Sequence, residues 1–226
     1  MKLMFIGADH EVTGSCHYLE CGDTRLVVDY GMKQGVDHYQ NADLPVACGD
    51  LDYILLTHAH IDHAGCIPLL YARGFRGQIV TTCATGDLCQ IMLRDSAHIQ
   101  EMEAEWKNRK ARRAGKPEVT PLYTMEDAQG ALGHLTTFDY GEKIKLNDDI
   151  TIRFTDAGHL LGSASIEVWC HEEDVVKKIV FSGDVGNANQ PIIKEPQLVK
   201  EADYIVIEST YGDRTHGDVV PDYIGE

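Results

Sequence analysis

An α/β sandwich, with sheets inside and helices outside, is the architecture predicted by the order of patterned segments. Short β-rich runs come first, an apolar strand then feeds helical stretches, and strands return, with no internal repeat and no low-complexity linker. The chain has 226 residues, 43% hydrophobic and 25% charged, which is enough for one sizeable domain with a real core.

Residues 2–7, 16–20 and 25–29 are β-rich and separated by turn signals such as Cys21-Gly22-Asp23, predicting an antiparallel meander. Tyr53-Ile54-Leu55-Leu56-Thr57 is a continuous apolar run of the buried-strand type, followed by a His-rich loop and an apolar helical stretch over 64–72. Another strand spans 78–82. Residues 85–113 then repeat Leu88, Ile91, Met92, Ile99, Met102 and Trp106 near period 3.6, with Thr85 as the expected N-cap. The C-terminal end of this helix is strongly basic, carrying Lys107, Arg109, Lys110, Arg112, Arg113 and Lys116. A solvated helix end that complements the macrodipole is the simpler reading, and contact with a phosphate backbone is the alternative.

Thr124, with Asp127 three positions on, predicts the start of a shorter helix through a variant capping box. Strands resume at 150–155, 165–169, 178–182 and 204–208. Pro221-Asp222-Tyr223 has the pattern of a first helical turn, so the sandwich is expected to be incomplete at its C-terminus. An unpaired sheet edge left by such a truncation would favour self-association as a homodimer.

Twenty Lys and Arg against 36 Asp and Glu give a net charge of −16, which excludes nucleic-acid binding by a general basic field. A polyanionic substrate would need local cations. Seven cysteines with no C-x-x-C pair argue against a disulfide framework and a zinc ribbon, and they read as reduced thiols of a cytoplasmic protein. No segment approaches the roughly 18 apolar residues of a membrane span.

The chemistry concentrates in Thr57-His58-Ala59-His60-Ile61-Asp62-His63-Ala64-Gly65, three imidazoles and a carboxylate within six positions of a strand-to-helix loop. Core packing would not produce that cluster, whereas imidazole nitrogens and carboxylate oxygens suit zinc and similar ions. His159 in A-G-H-L-L-G-S-A-S and Asp184 in I-V-F-S-G-D-V-G stand at further strand ends. Each of these two, taken alone, is balanced between a ligand and turn chemistry.

Together, H-x-H-x-D-H, the Gly-His of His159 and the Ser-Gly-Asp of Asp184 resemble the metallo-β-lactamase fold hydrolases, an αββα sandwich, over nearly the whole chain. Val27-Val28-Asp29-Tyr30-Gly31 is similar to that superfamily's first motif. Glu208-Ser209-Thr210-Tyr211-Gly212-Asp213-Arg214, with the opening G-A-D-H-E-V-T-G-S-C, resembles the β-CASP branch of RNA-processing nucleases related to the cleavage and polyadenylation endonuclease.

The resemblance implies two zinc ions, with His58, His60 and His159 on one, Asp62 and His63 on the other, and Asp184 bridging them. It places Asp29 behind a ligand histidine and makes Glu208 an accessory carboxylate. Asp62, Asp184 and Glu208 are the expected catalytic carboxylates. The implied activity is hydrolysis of RNA phosphodiesters by water activated at the two zinc ions. Residues 1–226 would be the N-terminal portion of the metallo-β-lactamase domain, reaching an inserted β-CASP domain from about residue 212. Two downstream histidines of the family, a general acid and one that completes the second zinc site, have no counterpart, since His216 is the one histidine after Asp184 and is too close to Glu208 to be either. This chain is therefore expected to be an incomplete catalytic half, weakly active or inactive, with a weak second zinc site. Another hydrolase of the same fold, acting on a thioester, lactone or DNA, and a non-catalytic scaffold subunit are the competing readings.

Overall fold

The computed structural model describes residues 1–35, 41–188 and 190–213. The expected helical turn at Pro221, and His216, lie outside the described residues. Eleven strands and four α-helices follow in the order β1 (Lys2–Gly7), β2 (Cys16–Cys21), β3 (Thr24–Val28), β4 (Tyr53–Leu55), α1 (Ile61–Ala64), α2 (Ile67–Ala72), β5 (Gln78–Thr82), α3 (Cys83–Ala114), α4 (Met125–Leu132), β6 (Leu135–Phe138), β7 (Ile144–Lys145), β8 (Ile150–Asp156), β9 (Ala164–Glu172), β10 (Val175–Phe181) and β11 (Tyr204–Val206) among the described residues.

The first sheet runs β1-β2-β3-β4-β5-β6 and the second β11-β10-β9-β8-β7. β1, β2 and β3 form the antiparallel meander, after which β3 to β6 pair in parallel. The second sheet is antiparallel except where β11 pairs with β10. Alternation sorts the side chains. Leu19, Leu26, Val28, Leu55 and Val80 from one sheet meet Ile152, Phe154, Ile166, Val168, Ile179 and Phe181 from the other in a dry inner core. The opposite face of the first sheet offers Tyr18, Val27, Ile54 and Ile79 to Ile67, Leu70, Cys89, Leu93 and Leu132 of the helices.

Among the described residues, helices cover the first sheet alone. The outward face of the second sheet is polar: Glu167 is fully buried there, bonded by Arg153 at 2.7 and 2.8 Å, by Thr155 at 2.7 Å and by Lys178. A cavity flanks this cluster and is lined on its other side by Gln197–Glu201.

The long helix is capped three residues before the expected position, at Thr82. Thr82 ends β5 in an extended conformation and its hydroxyl accepts from the Thr85 N–H at 3.3 Å, so the strand runs directly into the helix. Thr85 instead donates its hydroxyl to the Gly162 carbonyl at 2.8 Å. The buried stripe also differs from the one the large apolar residues suggest: Cys89, Leu93, Ala97 and Ala104 face the body, while Ile91, Ile99, Met102 and Trp106 are exposed. Thr124 caps α4 as expected, in a reciprocal box with Asp127.

β6 and β7 were not anticipated by alternation, being four and two residues long. All seven cysteines are free. No helix among the described residues is long and apolar enough to cross a membrane.

Candidate metal centre

Strand register assembles the site. β3 and β4 pair in parallel with Val28 opposite Leu55, which carries Asp29 alongside the loop that begins at Leu56. β8 and β10 deliver His159 and Asp184 to the same edge of the sandwich. The Gly186 N–H donates to the Ala157 carbonyl at 2.9 Å, clamping these two loops together. A Cβ at Gly186 would fall 1.6 Å from the Gly158 carbonyl oxygen, so this crossing requires glycine. Ser163 Oγ accepts from the N–H groups of His159 and Leu160, both at 3.1 Å, and holds the histidine loop in shape.

His58 Nε2 lies 3.1 Å from His60 Nδ1, and His159 Nε2 lies 3.2 Å from the same atom. Asp184 Oδ2 stands 3.6 Å from His58 Nε2 and 3.5 Å from His159 Nε2. One donor atom from each of these four residues falls within 4.8 Å of every other. A tetrahedron of ligands about 2.05 Å from a zinc ion has edges of roughly 3.3 Å, and the four distances straddle that value. Four of the six edges therefore suit a small divalent ion such as zinc, and all six stay within 4.8 Å.

The other carboxylate oxygen, Asp184 Oδ1, faces away from this group and lies 3.1 Å from His63 Nε2. One carboxylate thus addresses two sets of imidazoles. Behind His63, Asp29 Oδ2 lies 2.8 Å from Nδ1, while Asp29 Oδ1 accepts from the Thr57 N–H at 2.8 Å. The Thr57 hydroxyl sits 3.0 and 2.8 Å from the two oxygens. Asp29 is held at φ 58°, a left-handed backbone that aspartate tolerates at some cost, and these bonds to its carboxylate over-determine it.

Electrostatics separates the histidines. Burial, followed by the proximity of His63, pushes His58 well below its ordinary value, and burial with His159 lowers His60. Both are neutral at pH 7, the form that binds metal. His63 is different: burial opposes its charge, yet Asp29 and Asp184 overcome that and raise it to about 10. Burial likewise opposes the charge of Asp184, but the bond and charge of His63, then His58 and His159, hold its carboxyl far below the usual range.

Residues 18–207 match the metallo-beta-lactamase superfamily domain. The chain belongs to the metallo-β-lactamase superfamily. Among curated relatives it is 36% identical over 217 residues to a ribonuclease of Thermus thermophilus, a match covering 96% of this chain and 45% of that protein. A probable RNase of Methanocaldococcus jannaschii is 30% identical over 222 residues, covering 96% of this chain and 47% of the relative. The transcription termination factor FttA of the same organism is 30% identical over 227 residues, 98% of this chain and 33% of the factor. The chain thus spans about half the length of the ribonuclease relatives. The names of these relatives fit the nuclease branch that the Glu208–Arg214 segment resembles.

Neither Asp62 nor Glu208 belongs to the four-donor group. Asp62 contributes no atom to the four-donor set; it lies in the first turn of α1, its carbonyl accepts from the Ser15 N–H at 2.9 Å, and its charge acts on His60 to favour protonation. Glu208 accepts from the Val185 N–H at 2.7 Å, and its own N–H donates to Ser182 Oγ at 3.1 Å, so it braces the loop that carries Asp184. Sequence reasoning missed Thr57, whose place immediately before the histidine cluster was the available signal. It also missed His17, which stacks on Phe181 and lines, with His63, Asp184 and Glu208, an open cavity of about 600 Å³ beside the centre.

Proposed function

We propose that this chain carries the catalytic centre of a zinc-dependent phosphodiester hydrolase acting on RNA. The observation that supports it best is the split orientation of Asp184, with one oxygen toward His58 and His159 and the other toward His63, at the mouth of the cavity. The names of the ribonuclease relatives favour RNA over a lactam, thioester or DNA. Such a role suits a cytoplasmic protein, and the outer edge of β11, which has no partner strand among the described residues, is the place for self-association.

In this reading His58, His60 and His159 hold one zinc ion, Asp62 and His63 the other, and Asp184 both. Zinc supplies Lewis acidity and brings the ionisation of water near neutral pH. Neutral His58 and His60 present lone pairs without losing a proton, whereas His63 must release one. Asp29 fixes the His63 tautomer by accepting the hydrogen bond from Nδ1–H, leaving Nε2 free to coordinate. Two dications change the chain's charge from −16 to −12 and concentrate four positive charges where a phosphodiester would sit, so the centre attracts a polyanion that the rest of the chain repels. Glu208 keeps the wall of the cleft in place.

The test measures zinc per chain by atomic emission after removal of loose metal, with cleavage of end-labelled RNA. At least one zinc ion and weak chelator-sensitive cleavage are expected of this chain, both lost in Asp184→Ala, with a second ion and full cleavage expected of a longer chain that carries the downstream segments. An intact fold that binds no zinc would overturn the reading, and turnover of a lactam or thioester with RNA left uncut would replace RNA as the substrate.

A further inference from the structure

The last three turns of α3 have no role in the core. Ala104 is the final buried residue of the helix, which continues ten residues further to Ala114. The extension is nevertheless firmly built. Asn108 exchanges two hydrogen bonds with the backbone of Val119, at 2.9 and 2.7 Å, and Arg112 makes a forked pair with Glu118 at 2.8 and 3.2 Å. Gly115, at φ 63°, ends the helix in a left-handed cap. One side of the extension is therefore used to pin the chain that returns from it.

The opposite side carries Trp106, Arg109, Lys110 and Arg113 at spacings of three, four and seven residues, a single helical face. All four are exposed, Trp106 by 51%, and Met102 one turn earlier by 56%. Lys110 Nζ stands 3.5 Å over the Trp106 ring, which remains half exposed. Residues 107–116 hold six basic groups and no acid, while the remaining chain has 14 basic against 36 acidic residues, a net −22. Complementing the helix dipole accounts for charges in the last turn only, and it gives no reason for an exposed indole two turns earlier.

We propose that this face is a binding site for single-stranded RNA, in which a base stacks on Trp106 and successive phosphates pair with Arg109, Lys110 and Arg113. An aromatic platform interleaved with cations is the chemistry that single strands require. The inference rests on reading the metal centre as an RNA hydrolase, and it adds a length requirement. The start of α3 is tied to the His159 loop through Thr82 and Thr85, whose hydroxyls donate to the Gly162 carbonyl at 2.6 and 2.8 Å. At 1.5 Å per residue the basic face lies about 40 Å along the helix from that end. A stacked strand advancing about 3.4 Å per nucleotide needs roughly 12 nucleotides to reach both places.

The test compares a 30-nucleotide and a 6-nucleotide single-stranded RNA on the zinc-loaded chain, reading binding by fluorescence anisotropy against salt and cleavage by gel. The triple variant Arg109→Ala, Lys110→Ala, Arg113→Ala is expected to bind the 30-mer at least tenfold more weakly. Its log–log salt slope should shrink by about 2, near 0.7 per lost phosphate contact, with zinc content and 6-mer cleavage unchanged. Trp106→Ala should weaken the 30-mer about tenfold without changing the slope. Equal affinity of wild type and triple variant for the 30-mer overturns the proposal. So does a result in which the substitutions only dissociate a dimer in sedimentation, which would make the face a contact between copies of the chain. A 30-mer bound through this face by a chain that cuts neither RNA would support the binding site, and cleavage by a longer chain carrying the downstream segments would then decide the hydrolase reading.

Discussion

Asp29→Asn replaces one carboxylate oxygen by an amide and preserves the shape of the side chain. Its two oxygens now serve two separate donors, the Thr57 N–H at 2.8 Å and His63 Nδ1 at 2.8 Å. An amide has a single acceptor atom for those two donors, so one bond is lost whichever way the group is turned. Leaving a buried donor unpaired costs about 1–3 kcal/mol. With the NH2 toward His63, Nδ1 must accept and the proton moves to Nε2, the atom 3.1 Å from Asp184 that coordination needs. Loss of an outer partner of a ligating histidine typically weakens metal binding 10- to 100-fold, about 1.4–2.8 kcal/mol, which agrees with the hydrogen-bond figure. We expect Asp29→Asn to retain one tightly held zinc and to bind the second 10- to 100-fold more weakly, measured by competition with a chromophoric chelator at pH 7.5. The metal-free variant should also lose about 2 kcal/mol in urea unfolding. Wild-type affinity for both ions with unchanged stability would refute the role assigned to this carboxylate.

Two further outcomes test the fold around the site. The Glu167 carboxyl is pushed up by burial but held down at about 2 by the bonds from Arg153, Lys178 and Thr155. Its folded value lies below its unfolded one, so its stabilisation is fully present above about pH 4.5 and is lost as pH falls toward 2. Glu167→Gln should flatten that acid limb in a series of melting curves and cost about 2 kcal/mol at pH 7, part of a full buried-pair penalty because Arg153 is one-third exposed; an unchanged limb would contradict the assignment. Phe154→Ala removes a fully buried ring from between the sheets and should cost about 3–5 kcal/mol in denaturant unfolding. A loss below about 1 kcal/mol would mean that the inner core is not packed as described.

Alternation and apolar runs located the long strands and the helices because burial of one face leaves a periodic trace. β6 and β7 left none, being too short for alternation to register. The orientation of α3 was misread for a physical reason: Cys89, Ala97 and Ala104 pack closely because they are small, so the bulkiest residues lie on the face turned away from the body. A stripe of large apolar side chains signals a helix, but not which side of it is buried.

The His58–His63 cluster was legible from residue types alone, because metal chemistry restricts which side chains can ligate and core packing has no use for so many imidazoles in one loop. His159 and Asp184, each balanced between a ligand and turn chemistry on its own, were joined to it only through the family resemblance. What tertiary structure decided is how those donors divide. The two oxygens of Asp184 face different imidazoles, Asp29 and Thr57 lock His63, Asp62 stands outside the four-donor group, and Glu208 turns back to brace its own loop. These depend on strand register and loop crossings between residues from a few tens to more than one hundred positions apart. Spacing along the chain carries no trace of them, because distances of 3 Å are set by which strands become neighbours.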